Sequence, residues 1–220
     1  METTLGEELL LLSLDDESGA EKESARVSSA IAAASLVELA LAGRIEVRDE
    51  LVAVLDPAPV GAPGLDAALA DIVARDKPRK VKDWMYYLKK DAVSGASEGL
   101  LAKGLIREET KKVLGLFPVR RYPEADGSAE AALRQRLEAV VLRGDTPDER
   151  TAGLVALLHG AKLHRLVFPE ADARAVESRM EAIARGQWAA PAVRQVVVAA
   201  EAALTVIIMT AATGSVMGGS

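Results

Sequence analysis

The chain has 220 residues, half of them apolar but only 3% aromatic, with 33 acidic and 27 basic side chains and a formal net charge of −6. That length holds one well-buried domain or at most two small ones, and the acidic balance excludes the global basic field that gathers nucleic acid. With no cysteine, disulfides, thiolate nucleophiles and cysteine-ligated metals are excluded, which fits a reducing, cytoplasmic setting.

Thr4 followed three residues later by Glu7 is a capping-box pattern. It opens a short helix whose block Leu9-Leu10-Leu11-Leu12 makes it apolar nearly all round and therefore buried; Asp15 to Gly19 stops it. The acidic residues ahead of the leucines, without a small-residue cleavage site, do not read as a signal peptide. Ser24 to Ala42 is predicted as a helix, and Gly43 suits the left-handed position after it. Glu38, inside this apolar helix, is expected to pair with Arg44. Arg44–Val47 and Leu51–Leu55 form a small hairpin around the turn Arg48-Asp49-Glu50.

After a Pro/Gly-rich loop, Asp56 to Gly64, comes a helix with Leu65, Leu69, Ile72 and Val73 on one side. A short amphipathic helix follows Pro78, with Val81, Trp84, Met85 and Leu88 at helical spacing and Trp84 as a core anchor. Ser97–Lys103 is predicted as a separate helix closed by Gly104, and Leu105-Ile106-Arg107 as a strand. Glu109 to Tyr122 then reads as an edge hairpin containing a proline. Four helical patterns complete the chain: Ser128–Arg143, Pro147–Leu166, Glu170–Arg185 and Pro191–Ala212, with Pro147 and Pro191 at first-turn positions. Short linkers argue for one mainly helical domain over residues 1–220, with a core of about 5–212.

Val196 to Met217 is apolar enough to span a bilayer, but Glu201 lies within it. A central carboxylate costs about 2.5–3.5 kcal/mol on insertion scales, so a buried core helix is expected instead. No nucleophile elbow, phosphate-binding glycine loop or dinucleotide fingerprint is present. His159 and His164, read as one helix, sit about 140° apart and face no common metal. No catalytic residue, metal site or cofactor is assigned, and Asp15, Asp16 and Glu17 read as solvated helix-stop residues.

Positive charge is local. Lys77, Arg79, Lys80, Lys82, Lys89 and Lys90 surround the Trp84 helix. Lys111 and Lys112 lie at the hairpin tip, Arg120 and Arg121 at its end, and Arg134 and Arg136 on the next helix. Each cluster alone is a solvated face; together they form a surface for an anionic bilayer, worth about 1 kcal/mol per basic residue. Val113, Leu114, Leu116 and Phe117 are then either an apolar wedge beside those lysines or a packing face against the core or a second subunit.

The chain resembles the Golgi phosphoprotein 3 family, in its bacterial branch, to which the richness in Ala, Val, Arg and Gly also points. The resemblance is carried by Gly6-Glu7-Glu8-Leu9-Leu10-Leu11-Leu12 with Asp15 to Gly19, and by Leu36-Val37-Glu38-Leu39-Ala40-Leu41-Ala42-Gly43-Arg44-Ile45. Leu65–Leu69, Val81–Trp84, Leu101–Ile106 and Pro147–His159 support it. It implies a mainly α fold: a central helical bundle with the hydrophobic C-terminal helix buried, amphipathic helices around it and small β-hairpins. It also implies a non-enzymatic, phosphoinositide-binding peripheral membrane adaptor that self-associates, with the 109–120 hairpin contributing to self-association and membrane contact. The family's head-group tryptophan and arginine fall at Glu23 and Ala32, and two further arginines at Lys90 and Val93. The candidate head-group residues are therefore Lys89, Lys90, Arg134 and Arg136. A cytosolic protein–protein or small-ligand module that self-associates through the same hairpin is the alternative; peripheral attachment would be at the inner face of the membrane.

Overall fold

The computed structural model of the chain describes residues 2–15, 18–75, 77–113, 117–125, 127–186 and 188–214, without the side chains of 111–113, 117, 118 and 211–214. Its first helix, α1 (Leu5–Ser13), is capped as its sequence requires: Glu7 N–H donates to Thr4 Oγ1 (3.2 Å) and Thr4 N–H to Glu7 Oε2 (2.7 Å). Every residue of α1 is buried. Helix α2 (Ser24–Leu41) is rich in alanine and serine, and those small side chains let neighbours approach on every side. It packs on α1, α3 (Pro63–Val73), α4 (Val81–Ala102), α6 (Glu149–Gly160) and α9 (Pro191–Gly214), and so forms the axis of the bundle.

Two antiparallel strand pairs decorate the helices. β1 (Ile45–Arg48) pairs with β2 (Leu51–Val54), Arg48 facing Leu51, so the turn is only Asp49-Glu50. Both turn residues have positive φ (50° and 65°), the backbone of a tight primed hairpin. β3 (Glu109–Val113) pairs with β4 (Phe117–Arg121), Val113 facing Phe117. The remaining helices are α5 (Ser128–Val141), α7 (His164–Val167) and α8 (Ala173–Ala184). One contiguous apolar cluster runs from Leu5 to Ile207 and draws on every helix among the described residues and on the first hairpin.

The sequence reading needs correction at several points. The segment after Pro78 does not break: α4 is one helix of 22 residues. Gly95 sits inside it where the backbone of Gly64 comes close, a Cβ there lying 3.6 Å from Gly64 Cα, so it serves helix packing rather than termination. Leu105–Arg107 is not a strand; only Ile106 bridges, to Glu124. The pattern Pro147–Leu166 splits into α6 and α7 because Lys162 turns left-handed (φ 56°). Pro147 lies outside the helix, since Asp148 is the N-cap and accepts from Thr151 N–H. Asp172 likewise caps α8, which begins three residues later than the pattern suggested.

Glu38 does not pair with Arg44. Its carboxylate accepts from Leu5 N–H (2.6 Å), at the start of α1, and from the guanidinium of Arg150 on α6. Arg44 instead bonds Asp56 beyond the hairpin. Burial pushes the Glu38 carboxyl above the usual carboxylate range against the pull of Arg150. Beside it, Glu8 accepts from Arg136 (2.8 Å), and Glu7 is held by Lys103 (2.5 Å). Three buried or nearly buried glutamates are thus each matched by a cation from a distant element.

Helix α9 enters the core by one face only. Val196, Val197, Ala200, Leu204 and Ile207 are buried, whereas Val198 and Met209 are 59% and 65% exposed. The expectation of a fully interior terminal helix is corrected to this: α2, α4, α6 and β1 cover one side, and no described element covers the other. Both α2 and α9 are long and apolar enough to cross a bilayer by length and composition; α2 is the more enclosed of the two.

Candidate functional site

A groove of about 490 Å³ opens where the loop after α1 meets the start of α2, the middle of α4 and the end of α9. The loop is built by short-range hydrogen bonds. Asp15 accepts from Ser18 N–H (2.9 Å) and Ser18 Oγ–H (2.8 Å), which, with Lys22 at 3.0 Å, hold its carboxyl well below the usual range. Gly19 (φ 61°) lets the loop lie against Tyr122 and Pro123, where a Cβ would collide with their backbone, and its carbonyl accepts from Tyr122 N–H (3.0 Å). Lys22 N–H then donates to Ser13 O, which returns the chain to α1 before α2 begins.

At that point Glu23 adopts a left-handed backbone (φ 53°) and gives α2 no side-chain cap. A helix start without a cap presents unsatisfied N–H groups and a positive dipole end. The groove around it carries Arg26 and Lys89 as cations, Glu21 and Glu23 as anions, Ser24 and Ser29 hydroxyls, and Ile207 and Ile208 of α9. Arg26 pairs with Glu23 (3.3 Å), and Lys89 Nζ–H donates to Ala25 O (3.3 Å). Glu21 Oε1 is buried without a hydrogen-bond partner among the described residues, and burial pushes its carboxyl above the usual range. The arrangement offers cations, hydroxyls and a helix start to an anionic group, and an apolar wall to whatever carries that group.

The sequence-derived candidates fall in different places. Lys89 lines the groove and Lys90 is exposed beside it on α4. Glu23 lines it as well, while Ala32 is fully buried and Val93 half-buried. Arg134 and Arg136 do not line it. Arg134 bonds Glu130 (2.5 Å) and the carbonyl of Val167 (3.1 Å), and Arg136 holds Glu8. Arg120 is exposed and pairs with Glu108 (3.5 Å); Arg121 is half-buried at the hairpin base. Leu114 and Leu116, and the side chains of Lys111, Lys112, Val113 and Phe117, lie outside the described residues. Arg26 was missed by the sequence reading; its position one turn after Glu23, where the loop becomes helix, is the signal that pointed to it.

Trp84 is buried, as expected of a core anchor, with Tyr87 edge-on at 5.9 Å. The two histidines sit on different helices and face different carboxylates: His159 Nδ1 meets Glu201 Oε1 at 2.5 Å, and His164 Nδ1 lies 3.4 Å from Glu177. Glu201, the charge that argued against a bilayer span, is thus the partner that α9 offers to α6.

The family described as Golgi phosphoprotein 3 (GPP34) matches residues 5–200. A curated relative, vacuolar protein sorting-associated protein 74 of Eremothecium gossypii, is 27% identical over 208 aligned residues, covering 77% of this chain and 62% of the relative. The chain therefore spans less than two thirds of that relative's length. Since the match takes in every element from α1 to the first half of α9, the chain belongs to the Golgi phosphoprotein 3 family.

Proposed function

We propose that the chain is a non-catalytic, peripheral adaptor that meets an anionic membrane surface of the phosphatidylinositol phosphate class through the groove at the start of α2. Family membership supports an adaptor role, and the relative's name assigns that protein to vacuolar protein sorting. The observation that carries the reading is the convergence of Lys89, Arg26 and an uncapped helix start on one groove with an apolar wall. Glu21 and Glu23 in the same groove oppose a multiply charged head group, so the attraction is expected to be modest and strongly salt-dependent. On this reading the protein works at the cytoplasmic face of a membrane.

Liposome flotation tests it. Vesicles containing phosphatidylserine or phosphatidylinositol 4-phosphate should recruit the chain at low salt, and neutral phosphatidylcholine vesicles should not. Lys89→Glu should weaken recruitment several-fold, since a basic residue near an anionic leaflet contributes about 1 kcal/mol. If no anionic vesicle recruits the chain at low salt, the reading fails.

One further observation favours self-association as a second reading. Among the described residues, the β3–β4 hairpin packs extensively on no other element; its base is tied at Gly19–Tyr122 and Ile106–Glu124. Replacing residues 109–121 by a short turn should lower the sedimentation coefficient if the hairpin joins two copies, and should leave it nearly unchanged if it does not.

A further inference from the structure

A second cleft, independent of the membrane groove and about 300 Å³ in volume, lies between the β1–β2 hairpin, the end of α3 and the start of α4. Its walls are aliphatic, with Val54, Ile72 and Val73 among them, and Val54 and Val73 are 37% and 47% exposed. Its charged lining residues are Arg75 and Lys77, and no carboxylate among the described residues lines it. That is unusual on a chain of net charge −6. Neither cation is paired with a carboxylate among the described residues. Arg75 is instead fixed by aromatic stacking, its guanidinium 3.9 Å from the centre of the Tyr87 ring and 5.8 Å from that of Trp84. Stacking holds the planar fork in place and leaves its edge for an acceptor.

Two donors are also orphaned here. Trp84 lines the cleft and is 1% exposed, and among the described residues neither its indole Nε1–H nor Arg75 Nε–H has an acceptor. Arg79, 5.8 Å from the Trp84 ring, adds a third positive group nearby.

We propose that this cleft is a docking site for the C-terminal residue of a partner polypeptide, an aliphatic side chain seated between Val54 and Val73 with its α-carboxylate toward Arg75 and Lys77. Charge complementarity selects an anion. A planar carboxylate suits a guanidinium fork. The volume, at the low end for ligand sites, fits one residue rather than a long segment. A chain terminus carries the carboxylate on the same carbon as the side chain, so apolar wall and cationic rim are met together. Capture of a terminal carboxylate is a known mode of peptide recognition.

The test is a heteronuclear NMR titration of the full-length chain, read at its two indole N–H resonances, with Trp188 as internal control and Trp188→Phe for assignment. The probes are N-acetyl-Gly-Leu-Val, the same peptide as its C-terminal amide, N-acetyl-Gly-Val-Glu amide and inorganic phosphate. The free acid should shift the Trp84 resonance saturably, and the amide should bind about tenfold more weakly or worse, the loss of one charge-assisted contact. Lys77→Gln, which alters an exposed residue and spares the stacked core, should weaken the free acid several-fold, and Lys90→Gln should not. A static Trp84 resonance at millimolar free acid overturns the proposal. So do equal shifts by acid and amide, a side-chain carboxylate that works as well as a terminal one, or phosphate that reproduces the effect.

Discussion

Arg150 gathers more negative charge than any other cation described in the chain. Its guanidinium bonds Glu38 and the carbonyl of Thr3, and lies 3.7 Å from Glu8. Removing it strands Glu38 and Glu8 in a largely buried setting, and breaking a buried pair from one side costs about 3–5 kcal/mol. Arg150→Met should lower the urea midpoint accordingly with little change in slope, and adding Glu38→Gln should recover part of the loss. Glu21 gives the opposite case, a carboxylate buried without an acceptor's reward. Its pKa is higher folded than unfolded, so the stability it contributes is present below its unfolded pKa and is lost as pH rises through the folded value. Glu21→Gln should therefore raise the melting temperature at pH 7.5 and change it little near pH 4. Glu38 shows what residue-level reading missed. The sequence placed a carboxylate in an apolar helix correctly, but its partner lies 112 positions away, and only the packing of α6 on α2 brings it near.

At the scale of elements, α4 carries two glycines four residues apart that behave oppositely. A Cβ on Gly95 would meet Gly64 at ordinary van der Waals distance, 3.6 Å. Gly95→Ala should thus gain the helical preference of alanine, about 0.5–1 kcal/mol. A Cβ on Gly99 would instead run into Glu7 Oε1, which cannot swing away without leaving Lys103 and the α1 cap. Gly99→Ala should destabilise by about 1–3 kcal/mol. Thermal melts of the two variants, side by side, separate packing from propensity. The same helix explains which boundaries were legible. Thr4 and Glu7, Gly43 and Pro191 mark ends through local hydrogen bonding or fixed φ, and the structure ends helices there. Pro147 was read as a first-turn residue but lies outside the helix, because a proline can precede a cap. The break after α6 follows Gly160, but that glycine lies against Glu201 and the left-handed turn falls two residues later, on Lys162.

For the whole molecule the decisive element is α9, whose composition alone fits a bilayer span, a core helix or an exposed ridge. Tertiary packing chooses among them, and it does so differently on the two sides of the helix. Leu204 is fully buried, so Leu204→Ala should cost about 2–5 kcal/mol. Val198, six residues earlier, stands 59% exposed, so Val198→Lys should stay within about 0.5 kcal/mol of the parent chain. A helix lying in hydrocarbon would reverse the second result, since a lysine near a bilayer centre costs about 2.5–3.5 kcal/mol. A helix enclosed on all sides would make both variants severely unstable. Denaturant unfolding of this pair in detergent-free buffer therefore distinguishes the three arrangements. The groove was only half legible for the same reason: Lys89 could be picked out as a cation on α4, but the Ile207–Ile208 wall that faces it exists only because α9 lies across the start of α2. If Val198→Lys leaves the fold intact, that crossing is set by the buried face alone, and the outer face of α9 can vary while the groove keeps its shape.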